Sequence, residues 1–221
     1  MKKVLLALIA IVGMSPALCA QNIDAQKLTL DLQKMHHDGN TLHLAWWLPN
    51  EHWEASFKDA LGISPEEKTS ILSELDQYII FTAMEGKIGP FGGITGTPKD
   101  KLLPKISLET SETTLLPLSE SNISPDIKHF LSVMKPTFAN MLGQFGNAIE
   151  FVIFKDRNNG KENILNAKSD GAFTLIIGEQ DLKWQLPLGS LMPPKFDPDT
   201  GDEFPGNYSY NPFSGKKLIT R

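Results

Sequence analysis

Thr41-Leu42-His43-Leu44-Ala45-Trp46-Trp47-Leu48 runs directly into Pro49-Asn50-Glu51-His52-Trp53. The first eight residues read as a strand, rich in aromatic and aliphatic side chains and closed by a proline. Side chains alternate along a strand, so Trp46 shares a face with Leu42 and Leu44 while Trp47 points the other way. After Pro49, Asn50 is placed to cap a short helix with Trp53, Phe57 and Leu61 at i, i+4 and i+8. Aromatics at this spacing are the mark of a strand buried on both faces with a helix packed over one of them. The alternative is that Trp46, Trp47 and Trp53 form an aromatic platform for a sugar ring or an extended peptide.

Outward from this run, elements of both kinds follow without a regular βαβ alternation. The entry segment 21–40 is polar and reads as a linker. Ser64-Pro65-Glu66-Glu67 is a capping box with proline at the first helical position, continued by Ile71, Leu72 and Leu75. Strands are expected over 78–84, 148–155, 172–177 and 182–186, with a hairpin over 105–110 and 113–118. Gly86 to Gly96 is a glycine-rich excursion that matches neither a dinucleotide fingerprint nor a P-loop. Ser124-Pro125-Asp126 starts the longest helix. Its inner face is Ile127, Phe130, Leu131, Met134, Phe138, Met141 and Leu142, with a kink expected at Pro136 and an end at Gly143. Asp156-Arg157-Asn158-Asn159-Gly160 reads as a hairpin turn. The expected fold class is α+β, a mostly antiparallel sheet with about three helices and a ribbon-like C-terminal extension. The expected division is 1–20, 21–188 and 189–221.

The N-terminus predicts export. Lys2 and Lys3 precede a short apolar run, Val4 to Val12, then Gly13, Pro16 and small residues at Ala17, Cys19 and Ala20. That is the order of a Sec-type signal peptide, cleaved after Ala20 or Cys19, and the run is too short to span a bilayer. The destination is the periplasm or the exterior, with no integral membrane segment after cleavage. Lipoprotein anchoring at Cys19 is the lesser reading, because Leu18 stands where lipoprotein signals carry a small residue. Removing two lysines takes the net charge from −5 to about −7. With no basic cluster, nucleic acid is a poor partner. Cys19 is the only cysteine. The mature chain therefore has no disulfide, thiolate nucleophile or cysteine metal site.

Residues 189–221 are rich in Pro, Gly and Tyr. Phe196-Asp197-Pro198-Asp199-Thr200-Gly201 is matched further on by Asn211-Pro212-Phe213-Ser214-Gly215. This resembles a zinc ribbon, whose two knuckles run Cys-Pro-x-Cys-Gly. Both prolines and both glycines are in place, and the four ligand positions hold Asp197, Thr200, Asn211 and Ser214 instead of cysteine. The resemblance implies two knuckle-like turns. One carboxylate, one carboxamide and two hydroxyls are the wrong donors for tight zinc binding, so no metal and no cofactor is expected. The aromatics Phe196, Phe204, Tyr208, Tyr210 and Phe213 are expected to hold the tail by packing on the main domain. Together with the Trp46-Trp47-Leu48-Pro49…Trp53 pattern, the tail is similar to a group of uncharacterised exported bacterial proteins. That resemblance implies export and no particular activity.

Two further chemistries deserve weighing. Asp197, Asp199, Asp202 and Glu203 place four carboxylates in the 197–203 turn, an oxygen-rich set of the kind calcium accepts, although Gly201 is one position early for an EF-hand loop. A hydrolase site assembled from distant residues would draw on His43 or His52, which can approach each other if the 51–61 helix folds back on the strand. No G-x-S-x-G elbow is present. His36, His37 and His129 read as solvent-exposed. The reading that best fits the whole is a non-catalytic exported protein that binds a protein or cell-envelope component.

Overall fold

The computed structural model describes residues 24–58, 62–156 and 163–221. The expected signal peptide, Leu61 and most of the expected 156–160 turn lie outside these residues. In chain order the elements are α1 (Ala25–Leu32), β1 (Gln33–Asp38), β2 (Thr41–Trp47), α2 (Asn50–Phe57), α3 (Pro65–Leu75), β3 (Tyr78–Ile88), β4 (Ile94–Gly96) and α4 (Lys99–Leu102). Then come β5 (Ile106–Thr110), β6 (Thr114–Leu115), α5 (Pro125–Met141), β7 (Glu150–Lys155), β8 (Gly171–Ile177), β9 (Gln180–Leu186), β10 (Lys195–Phe196) and β11 (Glu203–Phe204). The class is α+β with antiparallel pairing, and α1 and α4 add to the three helices expected.

The strands form two main sheets. The first runs β1-β2-β3, with β4 and β7 sharing the far edge of β3; the second runs β6-β5-β8-β9. Alternation along β2 and β3 decides the layering. Trp47 and Phe81 point into the second sheet, where Trp47 meets Phe173 at 4.8 Å between ring centroids and Phe81 meets Trp184 at 5.6 Å. Trp46 points the other way and meets His52 of α2 and Phe138 of α5, at 5.2 and 5.1 Å. Helices, first sheet and second sheet are therefore three layers, and β2 is buried on both faces.

Several local expectations are corrected by the fold. The 21–40 segment is no linker. Asp24 caps α1 by accepting from the Gln26 and Lys27 amides, and Leu28 and Leu32, four residues apart, are buried. Burying each contributes about 1.5–3 kcal/mol, enough to order a short polar helix. Asn50 makes no cap; α2 starts from Pro49 without a side-chain cap, and the Asn50 carboxamide donates to Asp76 at 2.8 Å. The Ser64–Glu67 capping box of α3 forms in both directions. Helix α5 is capped by Ser124 and runs through Pro136, and Gly143 takes φ +56° just beyond its end. Met141, placed on its inner face by periodicity, is exposed because the helix meets the sheet through Ile127, Leu131 and Phe138. The glycine-rich stretch is a hairpin, with Gly86 opposite Gly96. Strand β7 pairs with β3 and β8 pairs with β5 and β9, so these two consecutive strands belong to different sheets.

Candidate functional site

The tail is built from two turns with the same hydrogen-bond grammar. In the first, Asp197 Oδ1 accepts from the amides of Asp199 and Thr200 at 2.9 and 3.2 Å, and the Gly201 amide donates to the Asp197 carbonyl at 3.0 Å. In the second, Asn211 Oδ1 accepts from the amides of Phe213 and Ser214 at 2.8 and 3.2 Å, and the Gly215 amide donates to the Asn211 carbonyl at 2.8 Å. Gly201 and Gly215 sit at φ +76° and +71°, which a residue with a Cβ rarely adopts. The short polar side chains do here what local Asx turns do generally, fixing backbone amides two and three residues on.

The turns are joined across the middle. Asn211 Nδ2 donates to Asp197 Oδ2 at 2.6 Å and Ser214 Oγ donates to the same oxygen at 3.3 Å. Asp197 is 1 % exposed, and every partner of its carboxylate donates. The Asn211 bond first, then those from the Asp199 and Thr200 amides and the Ser214 hydroxyl, bring the Asp197 carboxyl down to about 2 against the upward push of burial. Thr200 is the outlier of the four positions; its hydroxyl turns away to Asp202 at 2.7 Å.

The acidic turn disperses its charges. Asp197 faces Asn211, Asp199 pairs with Lys216, Asp202 accepts from Thr200, and Glu203 pairs with Lys27 of α1. Among the described residues no three of His, Cys, Asp and Glu gather as a metal-holding group. Attachment to the main domain is polar. The Ser190 amide donates to Asp31 of α1 at 2.8 Å, and the Asn207 carboxamide to the Pro187 carbonyl at 3.2 Å. Within the tail itself, a Cβ on Gly206 would lie 2.4 Å from both Met192 Cβ and the Pro193 carbonyl. The aromatics do not pack on the domain as expected. Phe213 is 90 % exposed, Tyr208 and Tyr210 are exposed, and Phe204 meets Phe213 within the tail at 6.4 Å. The hydrogen-bonded centre, rather than an aromatic core, holds the turns, which leaves the rings free to face outward.

The three tryptophans are interior. Trp46, Trp47 and Trp53 are 0, 2 and 1 % exposed, so their rings present no outward platform. Trp47 contributes to one wall of a polar cleft of about 220 Å³, with Asn50, Glu51, Asp76, Asn163 and Asn166 around it.

His43 and His52 lie on opposite faces of the first sheet and are not brought together. His43 is opposite Glu85 in the β2–β3 register, with Nε2 3.7 Å from Glu85 Oε2. Glu85 Oε1 accepts from Lys105 Nζ and from Thr97 Oγ1, both at 2.7 Å. Burial pushes Glu85 up, but the Lys105 and Thr97 hydrogen bonds and the Lys105 charge outweigh it and hold the carboxyl below its usual range. Burial lowers His43, opposed by Glu85. Thr97 spends its hydroxyl on Glu85, so this cluster ties β3 to the loop entering β5. Sequence reasoning missed it because Glu85, Thr97 and Lys105 carry no spacing signal; only the β2–β3 register sets Glu85 beside His43.

His52 is enclosed by Trp46, Trp53 and Phe138, and burial lowers its pKa to about 4. A native imidazole that stays neutral while the unfolded one protonates near 6.5 makes the unfolded state bind more protons. Stability is therefore full above pH 6.5 and falls as the pH drops toward 4, by on the order of 3 kcal/mol. Urea unfolding at pH 7 and pH 4.5 measures this loss, and His52→Phe is expected to flatten it. A slope unchanged in the variant would assign the loss to other groups.

Fold and site together define an α+β protein of two antiparallel sheets carrying a hydrogen-bonded double turn. No family model matches the chain, and no curated protein or solved structure matches it.

Proposed function

We propose that this is an exported protein, delivered to the periplasm or the exterior by residues 1–20, that acts by binding an envelope component, most specifically a protein. Its binding element is the tail, a ribbon whose metal has been replaced by the Asp197–Asn211 hydrogen bonds. The observation that carries this reading is where exposed apolar surface collects. Of the ten large hydrophobic side chains exposed among the described residues, Tyr208, Tyr210, Phe213 and Ile219 fall within 208–219. Isolated exposed hydrophobics are ordinary, but a group of them with two tyrosines and a phenylalanine suits recognition of another protein. The rings stand on a base of buried hydrogen bonds, so little ordering entropy is lost on contact.

Export itself accounts for the exchange of ligands. Unpaired ribbon thiols are vulnerable in an oxidising compartment, whereas Asp, Asn, Ser and Thr are inert there. Among the described residues no helix is long and apolar enough to cross a membrane. Fractionation is expected to recover a chain beginning at Gln21 outside the cytoplasm. A photo-cross-linker at 213 is expected to trap one discrete envelope protein, and the same group at Phe91, fully exposed in the β3–β4 turn, to trap none. Equal trapping at both positions, or a cytoplasmic chain retaining residues 1–20, would overturn the reading.

A further inference from the structure

We propose that the groove between α5, β7 and the 117–123 segment binds a small amphipathic carboxylate, an acyl or aryl chain ending in one negative charge. The groove encloses about 240 Å³. Its floor is apolar, formed by Leu118, Ile123, Leu131, Phe151 and Ile153. A cavity of about 150 Å³ lined by such residues accepts benzene, so this one has room for a ring with a short side chain or a folded medium-length chain. It is too small for a structured macromolecule, and it shares no residue with the tail.

The rim decides the charge of the ligand. Lys99, Lys128 and Lys135 stand around the floor with Glu120 and Glu150, a positive excess on a chain of net charge −5. Two lysines are already committed, Lys99 to Glu120 at 2.6 Å and Lys135 to Glu150 at 2.8 Å. Those pairs also occupy both carboxylates, which disfavours a cationic ligand. Lys128 differs. Its ammonium donates to a neutral acceptor, the Glu120 carbonyl, at 3.1 Å; it feels the Glu120 carboxylate through space but makes no ion pair within 4 Å among the described residues. A carboxylate offers that ammonium a stronger, charge-assisted bond. Lys128 is half-buried and lines the groove with Ser132, one turn further along α5. A ligand with its chain on Leu131 and Ile153 and its carboxylate at Lys128 meets both demands.

Octanoate, octanol and octylamine, titrated into the full mature chain and followed by methyl NMR, separate the terms. Octanoate is expected to shift the methyls of Leu118, Leu131 and Ile153 saturably and to bind about tenfold tighter than octanol, the ratio one exposed charge-assisted bond supplies. Octylamine is expected to bind more weakly than either. Lys128→Glu should erase the octanoate preference and Lys128→Arg should keep it, with both variants melting as the parent does. No saturable shift, shifts confined to methyls elsewhere, equal binding of octanoate and octanol, or an octanoate preference that survives Lys128→Glu would each overturn the proposal. The tail cross-linking result bears on none of these outcomes.

Discussion

Phe138→Ala is expected to remove about 3–5 kcal/mol of stability. Phe138 is buried on α5, and its ring touches four others. Trp46 lies 5.1 Å away between centroids, Phe151 5.6 Å, Trp53 5.9 Å and His52 6.1 Å. Deleting it loses the burial of the ring, leaves a cavity among groups that cannot collapse, and removes edge-to-face contacts worth about 0.5–1.5 kcal/mol each. Trp46 and Phe151 are fixed by strand pairing and Trp53 by its indole N–H, which donates to the Leu48 carbonyl at 3.1 Å. Against a typical total of roughly 5–15 kcal/mol, such a loss puts the fold near its limit. Urea unfolding at pH 7 measures it. Val133→Ala on the exposed side of the same helix is expected to change stability by no more than about 0.5 kcal/mol. Similar losses at 133 and 138 would show that α5 does not meet the sheet through Phe138.

Asp197→Asn, a change of one atom, is expected to release the tail while leaving the main domain folded. The carboxamide can keep an oxygen toward the Asp199 and Thr200 amides. It then turns an N–H toward Asn211 Nδ2, where a donor now faces a donor, and Ser214 loses its acceptor as well. Buried donors left without acceptors cost more than the bonds they made. Amide exchange at Gly201 and Gly215 and proteolysis within 196–218 should rise together, with the main-domain melting transition unchanged. The symmetry of the turns supplies a rescue. Asn211 Oδ1 does in the second turn what Asp197 Oδ1 does in the first, so Asp197→Asn with Asn211→Asp exchanges donor and acceptor across the centre and should restore protection in good part. The same carboxylate sets the acid limit of the tail. Its pKa of about 2 lies below the unfolded value near 3.8, so its contribution is complete above pH 4 and lost as the pH falls through 2. Protection in the single variant equal to that of the parent would remove Asp197 as the centre of the tail.

The fold was legible where its cause is local. Ser64 and Glu67 cap α3 because both bonds span three residues. Strand β2 reads as a strand buried on both faces because alternation leaves Trp46 and Trp47 on opposite sides whatever covers them. The two tail turns were legible for the same reason, since every bond inside each turn spans two to four residues. The failures have one origin. Polar composition made 21–40 look like a linker, yet two leucines four residues apart suffice when a second element offers them a surface. Nor does any local signal state that β7 pairs with β3 rather than with the next strand, β8.

By itself the amino-acid sequence determined the capped starts of α3 and α5, the alternation of β2, and the Pro- and Gly-bearing turns that begin at Asp197 and Asn211. Those outcomes depend on hydrogen bonds and steric limits acting within a few residues. Only the tertiary structure decided that β7 joins β3, that Glu85 meets His43 and Lys105, that Lys128 is left with a neutral acceptor, and that Asp197 accepts from Asn211 while the tail aromatics turn outward. These depend on which distant surfaces are buried together. A carboxylate sealed from water must find donors wherever the fold provides them, and no spacing in the chain states in advance which residues those will be.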